Sequence, residues 1–200
     1  NDMKKVRNGE VVRNTAETQI KLEVCLDGRG ESDIDTGCGF LNHMLVLFAK
    51  HGNFDLRISC KGDTDVDFHH TVEDVGICLG KAFADAADEF RGVKRYAHVI
   101  LPMDEALVLC AVDLSGRGSL SYELFNLPQK VGEFDTELAQ EFLLAFIRNF
   151  PITLHIKQIS GTNGHHILEC MFKAVARTLR EALATDPTNP DGIPSTKGVL

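Results

Sequence analysis

The sequence predicts an α+β fold built from two duplicated halves, each a sheet carrying its helices on one face, with the helices packed between the two sheets. Three observations predict it. Three segments recur in order: Glu17–Gly30 aligns without gaps on Glu105–Gly118, Leu41–Phe48 on Ala139–Phe146, and Asp67–Glu73 on Asn163–Glu169. Between the second and third of these, Phe54–Cys60 and Ile152–Gln158 alternate apolar and polar residues as half-buried strands do. Finally, the halves, about 13–93 and 94–184, are too short to carry helices on both faces of a sheet, so one helical layer per sheet is the economical packing.

Each half therefore reads strand, strand, helix, strand, helix. Glu17–Gly30 and Glu105–Gly118 run from a strand into a turn. Leu41–Phe48 and Ala139–Phe146 are apolar helical stretches, preceded by Gly or polar residues. Asp67 and Asn163 are good N-cap residues, which places His69-His70 and His165-His166 at the second and third helical positions. The last helix runs from His165 to about Ala184. It stops before Asp186-Pro-Thr-Asn-Pro-Asp-Gly-Ile-Pro194, so residues 185–200 form a loop or tail on a single domain spanning 1–200.

Composition narrows the function classes. An apolar content of 44% suffices for a core, which excludes a disordered or fibrous chain. With 21 basic against 29 acidic residues and a net charge of -8, the chain offers no broad cationic surface, and no nucleic-acid partner is expected. No uncharged apolar run approaches the roughly 18–20 residues of a bilayer span, and Asn1–Glu10 is polar rather than signal-like. A soluble, non-secreted protein with no membrane partner is expected, cytoplasmic or, in a plant, plastidial. The six cysteines contain no CxxC pair and sit mostly in apolar stretches, as reduced thiols do.

The histidines carry the chemistry. Residues four apart share a helix face, so His69 with Glu73 and His165 with Glu169 can each hold one ion. Adjacent residues diverge by about 100°, which directs His70 and His166 to a different ion or across an interface. The repeat adds His43 and its counterpart Glu141. Five imidazoles and three carboxylates suit manganese, iron or zinc rather than calcium or magnesium. His51, His98 and His155 stand alone and read as packing or capping residues. Glu17 and Glu105 correspond in the repeat, and the pattern is equally compatible with strand-start surface carboxylates and with chemistry. Arg95, Arg117, Lys173 and Lys197 with Ser195 form a second, cationic set that would make a local anion site in an acidic chain.

The segments GFLNHML (39–45), HHTVEDVGICLG (69–80), PMDEAL (102–107), VDLSGR (112–117), FDTEL (134–138), TLHI (153–156), HHILECMFKAVARTLREAL (165–183) and PSTKGVL (194–200) resemble the imidazoleglycerol-phosphate dehydratase family. The resemblance runs from about Arg13 to the end. It implies the fold of the second domain of ribosomal protein S5, duplicated, and the dehydration of imidazole glycerol phosphate to imidazole acetol phosphate in histidine biosynthesis. It also implies two manganese ions per active site, trimers assembled into a 24-subunit cage, and sites built between subunits. Carried over, the ligands are His43, His69, His70, Glu73, Glu141, His165, His166 and Glu169. Glu17 lies near the reacting carbons, and Arg95, Arg117, Lys173, Ser195 and Lys197 hold the phosphate, the last two from the tail. Asn42, Phe68, Gly118 and Gly164 depart from the family's usual residues, and none is a ligand.

The reaction expected is awkward, because the carbon that loses its proton has no neighbouring carbonyl. The imidazole ring has to accept the electrons, through imidazolate and diazafulvene-type intermediates, with Glu169 or Glu17 taking the proton. Two other classes use such clusters. A dinuclear metallohydrolase would release inorganic phosphate, and a non-catalytic metal-assembled oligomer would turn nothing over.

Overall fold

The computed structural model describes residues 4–200, in which the main sheet of each half contains one strand more than the sequence predicts and the second half adds a two-stranded hairpin. The first half runs β1 (Asn8–Asn14), β2 (Thr18–Cys25), β3 (Ser32–Asp35), α1 (Gly39–Gly52), β4 (Asp55–Gly62) and α2 (His69–Ala87), closed by a 3-10 turn over Asp88–Phe90. The second runs β5 (Tyr96–Met103), β6 (Ala106–Asp113), β7 (Ser119–Glu123), a small hairpin of β8 (Lys130–Val131) and β9 (Phe134–Asp135), α3 (Glu137–Asn149), β10 (Thr153–Ser160) and α4 (Gly164–Ala182). The sheets have matching orders, β1-β2-β4-β3 and β5-β6-β10-β7, and in each the last strand pairs parallel to its neighbour. The added strands β3 and β7 are those parallel edges. β3 has only Ile34 as an apolar residue, so its backbone ladder, not its side-chain pattern, makes it a strand.

The alternation read from sequence points one face of each sheet inward. Ile20, Leu22 and Val24 of β2 are buried, as are Val108, Cys110 and Val112 of β6, while Lys21 and Arg57 face outward. On α1 the buried residues Leu41, Met44, Leu45, Phe48 and Ala49 recur with helical spacing. The four helices lie between the sheets, with α2 packed on α3 and α1 on α4, so each helix pair takes one member from each half. A chain of rings, Phe48, Phe54, Phe83, Phe146 and Phe150, carries the core across the two halves.

Two further boundaries differ from the sequence reading. β1 starts at Asn8, ahead of the boundary near residue 13. α4 is capped by Asn163, whose side chain accepts from the His166 N–H, as expected. α2 instead starts one residue late: Asp67 Oδ1 accepts the His69 N–H, Phe68 stands at the cap, and His69 and His70 become the first and second helical positions. The tail beyond Ala182 is a strap, tied to the segment before β5 by the Asp186 N–H to Gly92, the Gly92 N–H to Gly192 and the Arg95 Nη1–H to Pro194. All six thiols are free, and no helix of the described residues is long and apolar enough to cross a membrane.

Candidate metal centre and anion groove

Parallel packing of α1 against α4 brings His43 over Glu169 and His165. His43 Nε2 lies 3.0 Å from Glu169 Oε1, and His165 Nε2 lies 3.8 Å from the same oxygen. One donor atom from each of the three falls within 4.8 Å of the others, and this is the one such group of three among the described residues. Adjacent ligands of an octahedral ion bonded at about 2.1 Å stand about 3 Å apart, so the spacing fits a first-row divalent cation. Glu169 is nearly buried. Burial pushes its carboxyl up, but hydrogen bonds from His43 and from Lys173 Nζ (3.3 Å to Oε2) outweigh that and hold it below the ordinary carboxylate value. The carboxylate is thus ionised and ready to bind a cation. Phe40 meets the His165 ring edge-on at 5.6 Å and stacks on Phe134 of the hairpin at 4.6 Å, which walls the trio on one side.

The first half repeats part of this arrangement on α2, where His69 Nε2 lies 3.4 Å from Glu73 Oε2. Glu141 is half-buried on α3, the helix packed on α2, and makes no side-chain hydrogen bond or ion pair among the described residues. The second histidine of each pair turns away as helical geometry requires, with interplanar angles of 88° for His69/His70 and 84° for His165/His166. His70 Nδ1 meets Asp63 Oδ2 at 2.8 Å, with Glu17 Oε2 farther off at 3.5 Å. That hydrogen bond is the main reason the His70 imidazole is held above its ordinary value. His166 Nδ1 meets Glu105 Oε1 at 2.7 Å. Sequence reasoning missed Asp63 and left Glu105 without a role. The signal for Glu105 was present, because it occupies the place of Glu17 in the repeat.

The cationic set divides. Arg95, Arg117, Ser195 and Lys197 line one groove of about 820 Å³ between the start of β5, the turn after β6 and the strap. Arg95 is fully engaged there: Nε and Nη2 donate to Asp113, Nη1 to Pro194, and its Cζ lies 4.7 Å over the Tyr96 ring. Arg117 follows a turn in which the Ser115 hydroxyl accepts its backbone N–H, and Ser195 Oγ accepts the Lys197 N–H. Among the described residues, the Arg117 guanidinium and the Lys197 ammonium have no hydrogen-bonded or ion-paired partner. Lys173 is not brought into this groove within one chain; it sits beside Glu169 and Met103. Of the lone histidines, His51 accepts from Arg177 Nε at 3.2 Å, whereas His98 and His155 are exposed on the outer face of the second sheet rather than packed, because their strand positions are outward in the alternation.

Comparison with known proteins identifies the family and agrees with the fold. A profile of the imidazoleglycerol-phosphate dehydratase family matches residues 36–179. The chain is 53% identical over 195 residues to the imidazoleglycerol-phosphate dehydratase of Caldanaerobacter subterraneus subsp. tengcongensis and 54% identical to that of Thermoanaerobacter pseudethanolicus, covering 98% of this chain and 100% of each relative. The solved structure of the Staphylococcus aureus enzyme superposes with a TM-score of 0.82 at 40% identity, covering 90% of this chain and 99% of that one. A Pyrococcus furiosus structure, in complex with (S)-C348, superposes at 0.81 and 36% identity, covering 95% of this chain and 100% of that one. With its duplicated fold, its doubled His-His-x-x-Glu and this similarity over nearly its whole length, the chain belongs to the imidazoleglycerol-phosphate dehydratase family, hydro-lyases of histidine biosynthesis.

Proposed function

We propose that the chain dehydrates imidazole glycerol phosphate to imidazole acetol phosphate with two manganese ions per active site, in sites completed between copies of the chain. The observation that carries this reading is the convergence of His43, His165 and Glu169 in a nitrogen and oxygen donor set, with the HHxxE pattern repeated on α2. His43, His165 and Glu169 would belong to one ion, and His69, Glu73 and Glu141 are the corresponding residues for a second. His70 and His166 turn out of these groups, which suits donors shared with a neighbouring subunit of a trimer-built 24-mer. Burial pushes the Cys170 thiol, next to Glu169, up to about 11, so it remains protonated and does not compete as a thiolate ligand.

Bound manganese would supply Lewis-acid polarisation of the substrate's imidazole, giving the electrons left by the departing carbon proton a place to go. The chain's own residues do the rest. Glu169 would spend Oε1, the oxygen facing His43, on the ion and Oε2 on Lys173, and so serves as ligand and anchor. Glu17 is exposed, makes no side-chain hydrogen bond among the described residues, and so keeps lone pairs free to take the carbon proton. The hydroxyl of the neighbouring carbon leaves as water after gaining a proton, and the enol formed ketonises. Arg117, Lys197 and the Ser195 loop hold the phosphate, while Arg95 holds the strap that carries two of them. The test is turnover of imidazole glycerol phosphate by metal-stripped protein before and after manganese is added. Activity that appears only with metal is expected; activity without any metal, or release of inorganic phosphate instead of water, would overturn the reading.

A further inference from the structure

The second histidine of each pair leans on a carboxylate, and the two carboxylates come from different places in the repeat. Glu17 and Glu105 correspond, each in the turn immediately before the second strand of its half. Only Glu105 touches its histidine closely, at 2.7 Å. In the first half the connection between β4 and α2 runs Asp63–Phe68, two residues longer than Gly161–Gly164 between β10 and the first histidine of α4. The longer connection places Asp63 against His70 Nδ1 at 2.8 Å, where the second half has Gly161 and no side chain. Glu17 is left 3.5 Å away. The other oxygen of Asp63 is buried without a hydrogen-bond partner, so the carboxylate is held in place at a desolvation cost.

An ionised carboxylate only accepts hydrogen bonds, so each contact requires the proton on Nδ1 and leaves the lone pair on Nε2. We propose that Asp63 and Glu105 are positioning residues: they set His70 and His166 to bind metal through Nε2, and Asp63 thereby releases Glu17 for proton transfer. The inference rests on the metal reading above. It explains why duplicated glutamates diverge in role, one spent on orienting a ligand and the other kept open.

The experiment measures manganese binding to the metal-stripped, assembled protein by loss of the free-ion paramagnetic resonance signal. It compares wild type with Asp63→Ala, Asp63→Asn, Glu105→Ala and Glu105→Gln. Each alanine variant should weaken binding about 10- to 100-fold, and each amide, whose carbonyl still accepts the Nδ1–H, should recover most of that loss. The amide variants also separate positioning from folding, because they preserve size and the acceptor. Alanine variants that bind manganese as tightly as wild type, or amide variants as weak as alanine, would overturn the proposal. If wild type itself takes up no manganese, the metal reading fails, and that outcome is distinct from a wild type that binds and variants that match it.

Discussion

Arg29 and Arg117 occupy the same place in the repeat, yet their turns are built differently. In the first half Asp55 Oδ1 accepts the backbone N–H groups of Arg29 and Glu31, and Asp27 takes a bidentate contact from Arg7. In the second half the corresponding residues are Ser115 and Thr153, whose hydroxyls bond each other at 2.8 Å. The carboxylate that pairs with Arg95 has moved two residues back along the strand, to Asp113. Both turns carry an arginine whose guanidinium has no partner among the described residues, but one copy holds its own anions and the other neutral hydroxyls. On the proposed reading, a duplicated turn becomes an anion site where two carboxylates give way to hydroxyls.

The two helix pairs diverge in the same manner. Gly76 and Gly80 of α2 lie against α3 so closely that a Cβ on Gly80 would stand 2.4 Å from the Phe146 carbonyl oxygen. Their counterparts on α4 are Phe172 and Ala176, both buried. The pair next to the trio of His43, His165 and Glu169 is therefore spaced by side chains, and the other pair by bare backbone.

Changes at corresponding positions can break or sharpen these contrasts. The largest effect is expected from Glu17→Gln, which should lower kcat about 100- to 10,000-fold while leaving manganese binding near wild type; a parallel loss of metal would place Glu17 among the ligands instead. Next, Arg117→Ala should raise KM about 10- to 100-fold, the worth of a charged hydrogen bond, and Arg29→Ala should change it by less than about twofold. Equal effects would remove the distinction between the turns. In denaturant unfolding of the metal-free protein, Gly80→Ala should cost about 1–3 kcal/mol through overpacking, despite the better helix former. Ala176→Gly should cost about 1 kcal/mol from propensity plus a small cavity. The smallest effect concerns pH. Because the folded Glu169 carboxyl lies below its ordinary value near 4.5, its pairing stabilises the protein fully above that value and is lost as pH falls through the lowered one. Glu169→Gln should flatten that part of the acid-unfolding limb, and an unchanged limb would count against the pairing.

Most of this was legible in the sequence where side-chain pattern and covalent neighbours decide the structure. The doubled HHxxE, the alternating strands and the amphipathic helices are of that kind. The offset between copies also rises from 88 at Glu17/Glu105 to 98 at Leu41/Ala139, and those ten residues accommodate the β8–β9 hairpin that carries Phe134 against Phe40. The rest depends on tertiary placement. β3 is polar and short, and is a strand only because β4 offers it a parallel ladder. Asp63 reads as one more turn aspartate until the fold sets it on His70. Lys173 shares a helix face with Glu169, and sequence alone gave no reason to separate it from the other cations, yet packing leaves it with that glutamate and gathers the others around the strap.

The central claim is that the doubled motif makes two manganese sites per chain that work together. It is tested most directly by titrating metal-stripped, assembled protein with manganese while following bound metal and dehydration of imidazole glycerol phosphate in parallel. The account predicts activity rising to a plateau at two ions per chain. A plateau of binding at two ions with no turnover, or full activity at one, would contradict it.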